Sequence, residues 1–137
     1  MCEDYGRKEE WQLEDKLKES EVEKIFTHMV AGTGGRAYKW VSPGNAGVPD
    51  RIVIFPGRKP VFVELKTSRG RLTKLQETQL KRLARLGQEV KVVYGLAGVA
   101  KFFFQAGYQE EGRKLAKRCG LAESSLEEAG GTGNWNL

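Results

Sequence analysis

Histidine is almost missing from this chain. Among 137 residues there is one, His28. That excludes a His-rich zinc centre and a Ser-His-Asp relay, and disfavours HNH-type and phosphatase-type sites. Cysteine is equally scarce. Cys2 and Cys119 are too few for a disulfide framework or a Cys metal motif, which fits a reducing cytoplasm. Long apolar runs are lacking too. The most apolar stretch, Val90 to Phe104, is broken by Lys91, Gly95, Gly98 and Lys101, so it does not read as a membrane span. The charged amino-terminal residues offer no apolar centre of the kind a signal peptide needs. The glycines Gly32, Gly34 and Gly35 are not followed by Gly-Lys-Ser/Thr and form no phosphate loop.

Charge is plentiful and uneven. The net charge is +5, with a pI near 9.3. The first residues are acidic on balance, through Glu9, Glu10, Glu14, Asp15, Glu19, Glu21 and Glu23. From Arg58 to Lys91 the chain carries ten Lys or Arg against three Glu. A solvated helix face accounts for such a run by itself, whereas a basic surface beside a reactive site suits a polyanion.

The reactive pattern lies mid-chain: Gly47-Val48-Pro49-Asp50, then Val61-Phe62-Val63-Glu64-Leu65-Lys66. Both sit on apolar runs separated by Pro56-Gly57, so they read as paired strands. Alternation sends Glu64 and Lys66 to one face and Leu65 to the other. A hairpin brings Asp50 to Glu64. Asp50 alone reads as an Asx-turn, and Glu64 with Lys66 as an edge charge pair. Yet Glu64 emerges from a buried run, where a carboxylate is costly unless paired or metal-bound. Two carboxylates beside an ammonium are a composition for holding a divalent cation next to a positioned water.

The surrounding order is α-β-β-β-α-β-α. Val22, Ile25, Phe26, Met29 and Val30 recur at helical spacing. A strand follows over Ala37 to Val41, and then the two motif strands. A helix runs from Thr73 to Leu86 with Gly87 at its cap. Val90 to Tyr94 is a fourth strand and Val99 to Phe104 a helix. This argues for an α/β fold with a mixed four-stranded sheet flanked by helices. Residues 1–19 read as a polar extension, 20–108 as the domain, and 109–137 as a C-terminal helix with a flexible Gly/Ser-rich tail. Phe102, Phe103, Phe104 and Tyr108 are a candidate dimer surface, cover by residues 109–121 being the alternative.

Glu23 is the candidate further acid from the first helix. Glu19 and Glu21 are rivals, and Ser20-x-x-Glu23 also matches a capping box. Gln76 has the same double reading, because Thr73-x-x-Gln76 is a capping box that opens a helix near the motif. Lys39, Arg51, Arg69, Arg71 and Lys74 are candidates for holding phosphates. Tyr38 and Trp40 offer aromatic faces, with packing the better reading for Trp40.

These residues resemble the PD-(D/E)-x-K nuclease superfamily, and within it the small stand-alone VRR-NUC (virus-type replication-repair nuclease) domains of phages and bacteria. The resemblance rests on Gly34 to Trp40, Ser42 to Val53 with its Gly-Val-Pro-Asp-Arg core, Val63-Glu64-Leu65-Lys66, Leu75-Gln76, Leu86-Gly87 and Val22-Glu23-Lys24-Ile25. It covers roughly residues 20 to 104 and implies a restriction-endonuclease-like core. It further implies a DNA phosphodiesterase using Mg²⁺ or Mn²⁺. Asp50, Glu64 and the Leu65 carbonyl would bind metal, with Glu23 reaching it directly or through water. Lys66 would position the attacking water, and Gln76 would orient Lys66 or the phosphate. Relatives of this compact kind are similar to Holliday junction resolvases, which act as homodimers on branched DNA. The expected setting is the cytoplasm, a host's if the chain is phage-encoded. A flap or single-strand repair nuclease and an inactive nucleic-acid-binding module are the alternatives.

Overall fold

The computed structural model describes residues 17–128 and the backbone of 132–134. Residues 1–16, most of the expected polar extension, lie outside the described residues. Helix α1 spans Glu19–Gly32. Val22, Phe26 and Val30 form its buried stripe, one residue per turn on a single face. The Glu21 carboxylate accepts from the Lys18 backbone N–H at 3.2 Å. The helix therefore starts earlier than a Ser20–Glu23 box would set it, and Glu23 is not needed as a cap.

Three antiparallel strands follow: β1 Arg36–Lys39, β2 Arg51–Ile54 and β3 Val61–Lys66. Helix α2, Lys74–Arg85, returns the chain so that β4, Glu89–Tyr94, pairs parallel to β3. Helices α3, Gly95–Gln105, and α4, Gln109–Cys119, close the fold, followed by a 3₁₀ turn at Glu123–Glu127. The sheet order is β1-β2-β3-β4-β5, where β5 is the short strand Thr132–Asn134. No helix among the described residues is long and apolar enough to cross a membrane.

The sheet buries both faces unequally. Val53, Val61, Val63, Leu65 and Val93 meet α1, α3 and α4 in the main core. Phe62, Val90, Val92 and Tyr94 meet Leu80, Leu83 and Ala84 of α2 in a smaller one. The alternation along β3 thus separates Val63 and Leu65 from Glu64 and Lys66, as the pattern requires.

Two expectations are corrected. The Phe cluster is no dimer surface. Phe103 is fully buried and Phe102 nearly so, stacked on Phe26 and Phe55 with ring centroids 5.3 to 6.0 Å apart. Phe104 is half-buried under Arg113, whose guanidinium lies 5.4 Å from its ring. Gly112 lets α4 close on this region, because a Cβ there would lie 2.7 Å from the Ala100 carbonyl oxygen. Helical twist sends successive Phe to different neighbours, and the chain buries Phe102 and Phe103 and partly covers Phe104. The tail is likewise partly ordered. Leu126 is fully buried, and the short strand β5, Thr132–Asn134, pairs antiparallel with β4, an edge addition to the expected mixed four-stranded sheet. A buried leucine and an open strand edge each gain by being covered.

Candidate active site

Asp50 is delivered by a loop clamped from several directions. Trp40 N–H donates to the Asp50 carbonyl at 3.0 Å, and the Trp40 ring packs on Phe62. Gln79 on α2 donates to the Ala46 carbonyl at 3.3 Å. Gly47, at φ +88°, passes so close to α2 that a Cβ would lie 2.7 Å from the Leu75 carbonyl carbon. Only glycine accepts both that dihedral and that approach.

The register explains which side chains meet. Arg51 pairs with Val63, so it shares the main-core face, where α1 lies. Its guanidinium donates through Nε to Glu23 at 2.9 Å and to the Ala37 carbonyl at 3.1 Å. Arg51 is therefore a bridge between α1 and the sheet, and it occupies Glu23. Asp50, one residue back, falls on the face of Glu64. Its carboxylate accepts from the Leu65 N–H at 2.9 Å.

Glu64 is 1% exposed. Its Oε2 accepts from Gln76 Nε2 at 3.1 Å and lies 3.7 Å from Lys66 Nζ. Its Oε1 is buried with no hydrogen-bond partner among the described residues. Burial, then the neighbouring Asp50 carboxylate, push Glu64 up to about 8, against the pull of Lys66. Lys66 Nζ also lies 3.9 Å from Glu19. Glu19 is pushed upward by burial, with Lys66 opposing and Asp50 and Glu23 adding to it. The helix acid beside the motif is thus Glu19, one turn before Glu23. Gly70 makes room for the lysine, since a Cβ there would sit 3.0 Å from Lys66 Cβ.

Gln76 closes the capping box, and it reaches Glu64 rather than Lys66. Its N–H donates to Thr73 Oγ1 at 3.1 Å and its Oε1 accepts from Thr73 N–H at 2.9 Å. The remaining amide nitrogen holds Glu64. Arg69, Arg71 and Lys74 are exposed in the β3–α2 connection and the start of α2, immediately after Lys66, and Lys39 is exposed at the end of β1. Tyr94, outside the motif, ends β4 opposite Lys66. Alternation along β4 was the only signal for it.

The donors Asp50 and Glu64 offer oxygen alone, the preference of hard cations. Among the described residues no third acidic, His or Cys side chain completes a metal-holding cluster with them. A cation held by one or two carboxylates that keeps several waters is the habit of Mg²⁺. The orphaned Glu64 Oε1 and the crowded carboxylates fit such an ion.

A phage protein named "Putative nuclease p44", from Acyrthosiphon pisum secondary endosymbiont phage 1, is 43% identical over 77 residues, 56% of this chain and 83% of its own. A solved structure of a VRR_NUC domain matches with a TM-score of 0.52 and 29% identity, over 56% of this chain and 83% of that one. The family model for the VRR-NUC domain matches residues 7–97, a span that contains Asp50, Glu64, Lys66, Gln76 and Tyr94. With that match and this geometry, the chain belongs to the VRR-NUC family.

Proposed function

We propose that this protein is a Mg²⁺- or Mn²⁺-dependent endodeoxyribonuclease that cuts branched DNA. The observation that carries the reading is Glu64: a buried carboxylate with one unpartnered oxygen, set between Asp50 and Lys66. Burying such a group is costly unless an opposite charge joins it. Asp50, Glu64 and the Leu65 carbonyl would hold the ion. When bound, the ion acidifies water and offsets charge gathering on the phosphate.

The chain's own groups do the rest. Gln76 fixes the Glu64 carboxylate, so its free oxygen has one orientation. Lys66 holds the attacking water and shares its charge with the phosphate. Glu19, rather than Glu23, is the helix acid placed to keep Lys66 aligned. Arg69, Arg71 and Lys74 hold flanking phosphates, a role that Arg51, committed to Glu23, does not share.

Cutting a four-way junction symmetrically needs two sites related by a two-fold axis. One chain carries one Asp-Glu-Lys set, so the junction reading requires a homodimer. The test uses labelled four-way, flap and linear DNA with Mg²⁺, alongside Asp50→Asn and Glu64→Gln. Paired cuts on opposing junction strands, lost in both variants, support the reading. Cleavage of flaps by a monomer with junctions intact would shift it to a repair nuclease. DNA binding with no cleavage of any substrate would leave a binding module.

A further inference from the structure

The parallel ladder brings a side chain to the reactive end of the sheet that the motif does not contain. Lys66 pairs with Tyr94. Residues paired across neighbouring strands project from one face, with the strands about 4.8 Å apart. Tyr94 therefore shares the face of Glu64 and Lys66, and its ring packs against Leu80, Val90 and Val92 on that side. Gly95 follows at φ +62° and is buried. It turns the chain directly into α3 and leaves Tyr94 little freedom.

The ring alone would be served by phenylalanine. Burial, and after it the Glu64 and Glu77 carboxylates, push the Tyr94 hydroxyl above the usual phenol range. Tyr94 is only partly buried, so the hydroxyl is not sealed inside the core. The two donors of the motif, Lys66 and Gln76, are engaged by the protein itself. Lys66 faces Glu64 and Glu19, and Gln76 is engaged at both ends of its amide. A phosphate entering beside Lys66 brings only acceptor oxygens, and Asp50 and Glu64 offer them nothing to accept.

We propose that Tyr94 is a substrate-contacting residue of this site, its phenol O–H donating to a non-bridging oxygen of the phosphate seated beside Lys66. The proposal rests on the nuclease reading above.

Tyr94→Phe removes one oxygen and keeps the ring. Three measurements follow on wild type and variant: single-turnover cleavage of a labelled DNA that the wild type cuts, calorimetric binding of inorganic phosphate to the Mn²⁺-loaded protein, and thermal unfolding. A hydrogen bond to a charged group predicts a rate loss of about tenfold or more, with phosphate binding weakened similarly. Mn²⁺ affinity and Tm should stay at wild-type values, which a merely structural tyrosine would not allow. Wild-type rate and phosphate binding in Tyr94→Phe would overturn the proposal and leave the nuclease reading intact. A rate loss that tracks a fall in Tm, with phosphate binding unchanged, would also overturn it. A wild-type protein that neither cleaves DNA nor binds phosphate would remove the nuclease reading, and this proposal with it.

Discussion

Replacing Gly47 by Ala should damage the site through the backbone. Gly44 in the same loop is the natural control. Both have positive φ, +80° at Gly44 and +88° at Gly47, but only Gly47 faces an obstacle. At Gly44 a Cβ would meet nothing within 4 Å; at Gly47 it would lie 2.7 and 2.8 Å from the Leu75 carbonyl carbon and oxygen. The dihedral alone costs about 1–2 kcal/mol for an L-residue. Overpacking against rigid backbone adds about 1–3 kcal/mol. Gly44→Ala should therefore destabilise by about 1–2 kcal/mol and Gly47→Ala by about 2–5 kcal/mol. The excess has to be relieved by the Asp50 loop moving off α2, and both carry site residues. A misplacement approaching 1 Å can cost about a hundredfold in rate. Urea unfolding gives the two stabilities, and single-turnover cleavage gives the two rates. Equal destabilisation by both substitutions, or full activity in Gly47→Ala, would refute the claim that this contact seats the Asp50 loop against α2.

Metal-free protein should lose stability as pH rises from about 4.5 to about 8, because folded Glu64 holds its proton more tightly than the unfolded chain does. In Glu64→Gln that slope should flatten, with the variant the more stable at pH 8 in EDTA by a few kcal/mol at most; parallel pH curves would contradict the assignment. Lys66→Ala should lose cleavage while its Mn²⁺ affinity holds or rises, since a like charge leaves the cation's neighbourhood; a large loss of affinity in calorimetry would show that the lysine supports the ion. Replacing Arg69, Arg71 and Lys74 together should weaken binding to all DNA sequences alike and flatten the salt dependence; an unchanged slope would turn that face away from DNA. Leu126→Ala should cost about 2–5 kcal/mol by thermal or urea unfolding; a change below 0.5 kcal/mol would mean the segment is not part of the core.

Much of this arrangement is legible in residue order, because it depends on alternation. Asp50, Glu64 and Lys66 fall on one face for the same reason that Val63 and Leu65 fall on the other. The Thr73-Gln76 spacing marks a helix start, and the helix is there. The choice between Glu19 and Glu23 has a different character. They stand four residues apart on one helix, so spacing treats them alike. What separates them is Arg51, whose register opposite Val63 aims it at Glu23. That is a tertiary fact, and no local pattern carries it. Phe102 to Phe104 misled because three adjacent large rings look excessive for one core. Phe102 and Phe103 are covered by Phe26 and Phe55, and Phe104 by Arg113 of α4, which Gly112, lacking a side chain, lets approach. The strand at Thr132–Asn134 has no apolar alternation to announce it and exists as the partner of the β4 edge.

The amide of Gln76 carries one further consequence. Its oxygen is committed to the Thr73 N–H and its nitrogen to Glu64, so the side chain is read by direction as well as by shape. Glutamate has nearly the same outline and could still satisfy Thr73. Its other end, however, would turn a lone pair toward Glu64 where a proton now stands. Two acceptors would then face each other beside Asp50, and a shared proton or a cation would have to come between them. The position thus discriminates between two side chains of equal size by one hydrogen, and it ties the first turn of α2 to the ionic state of the site.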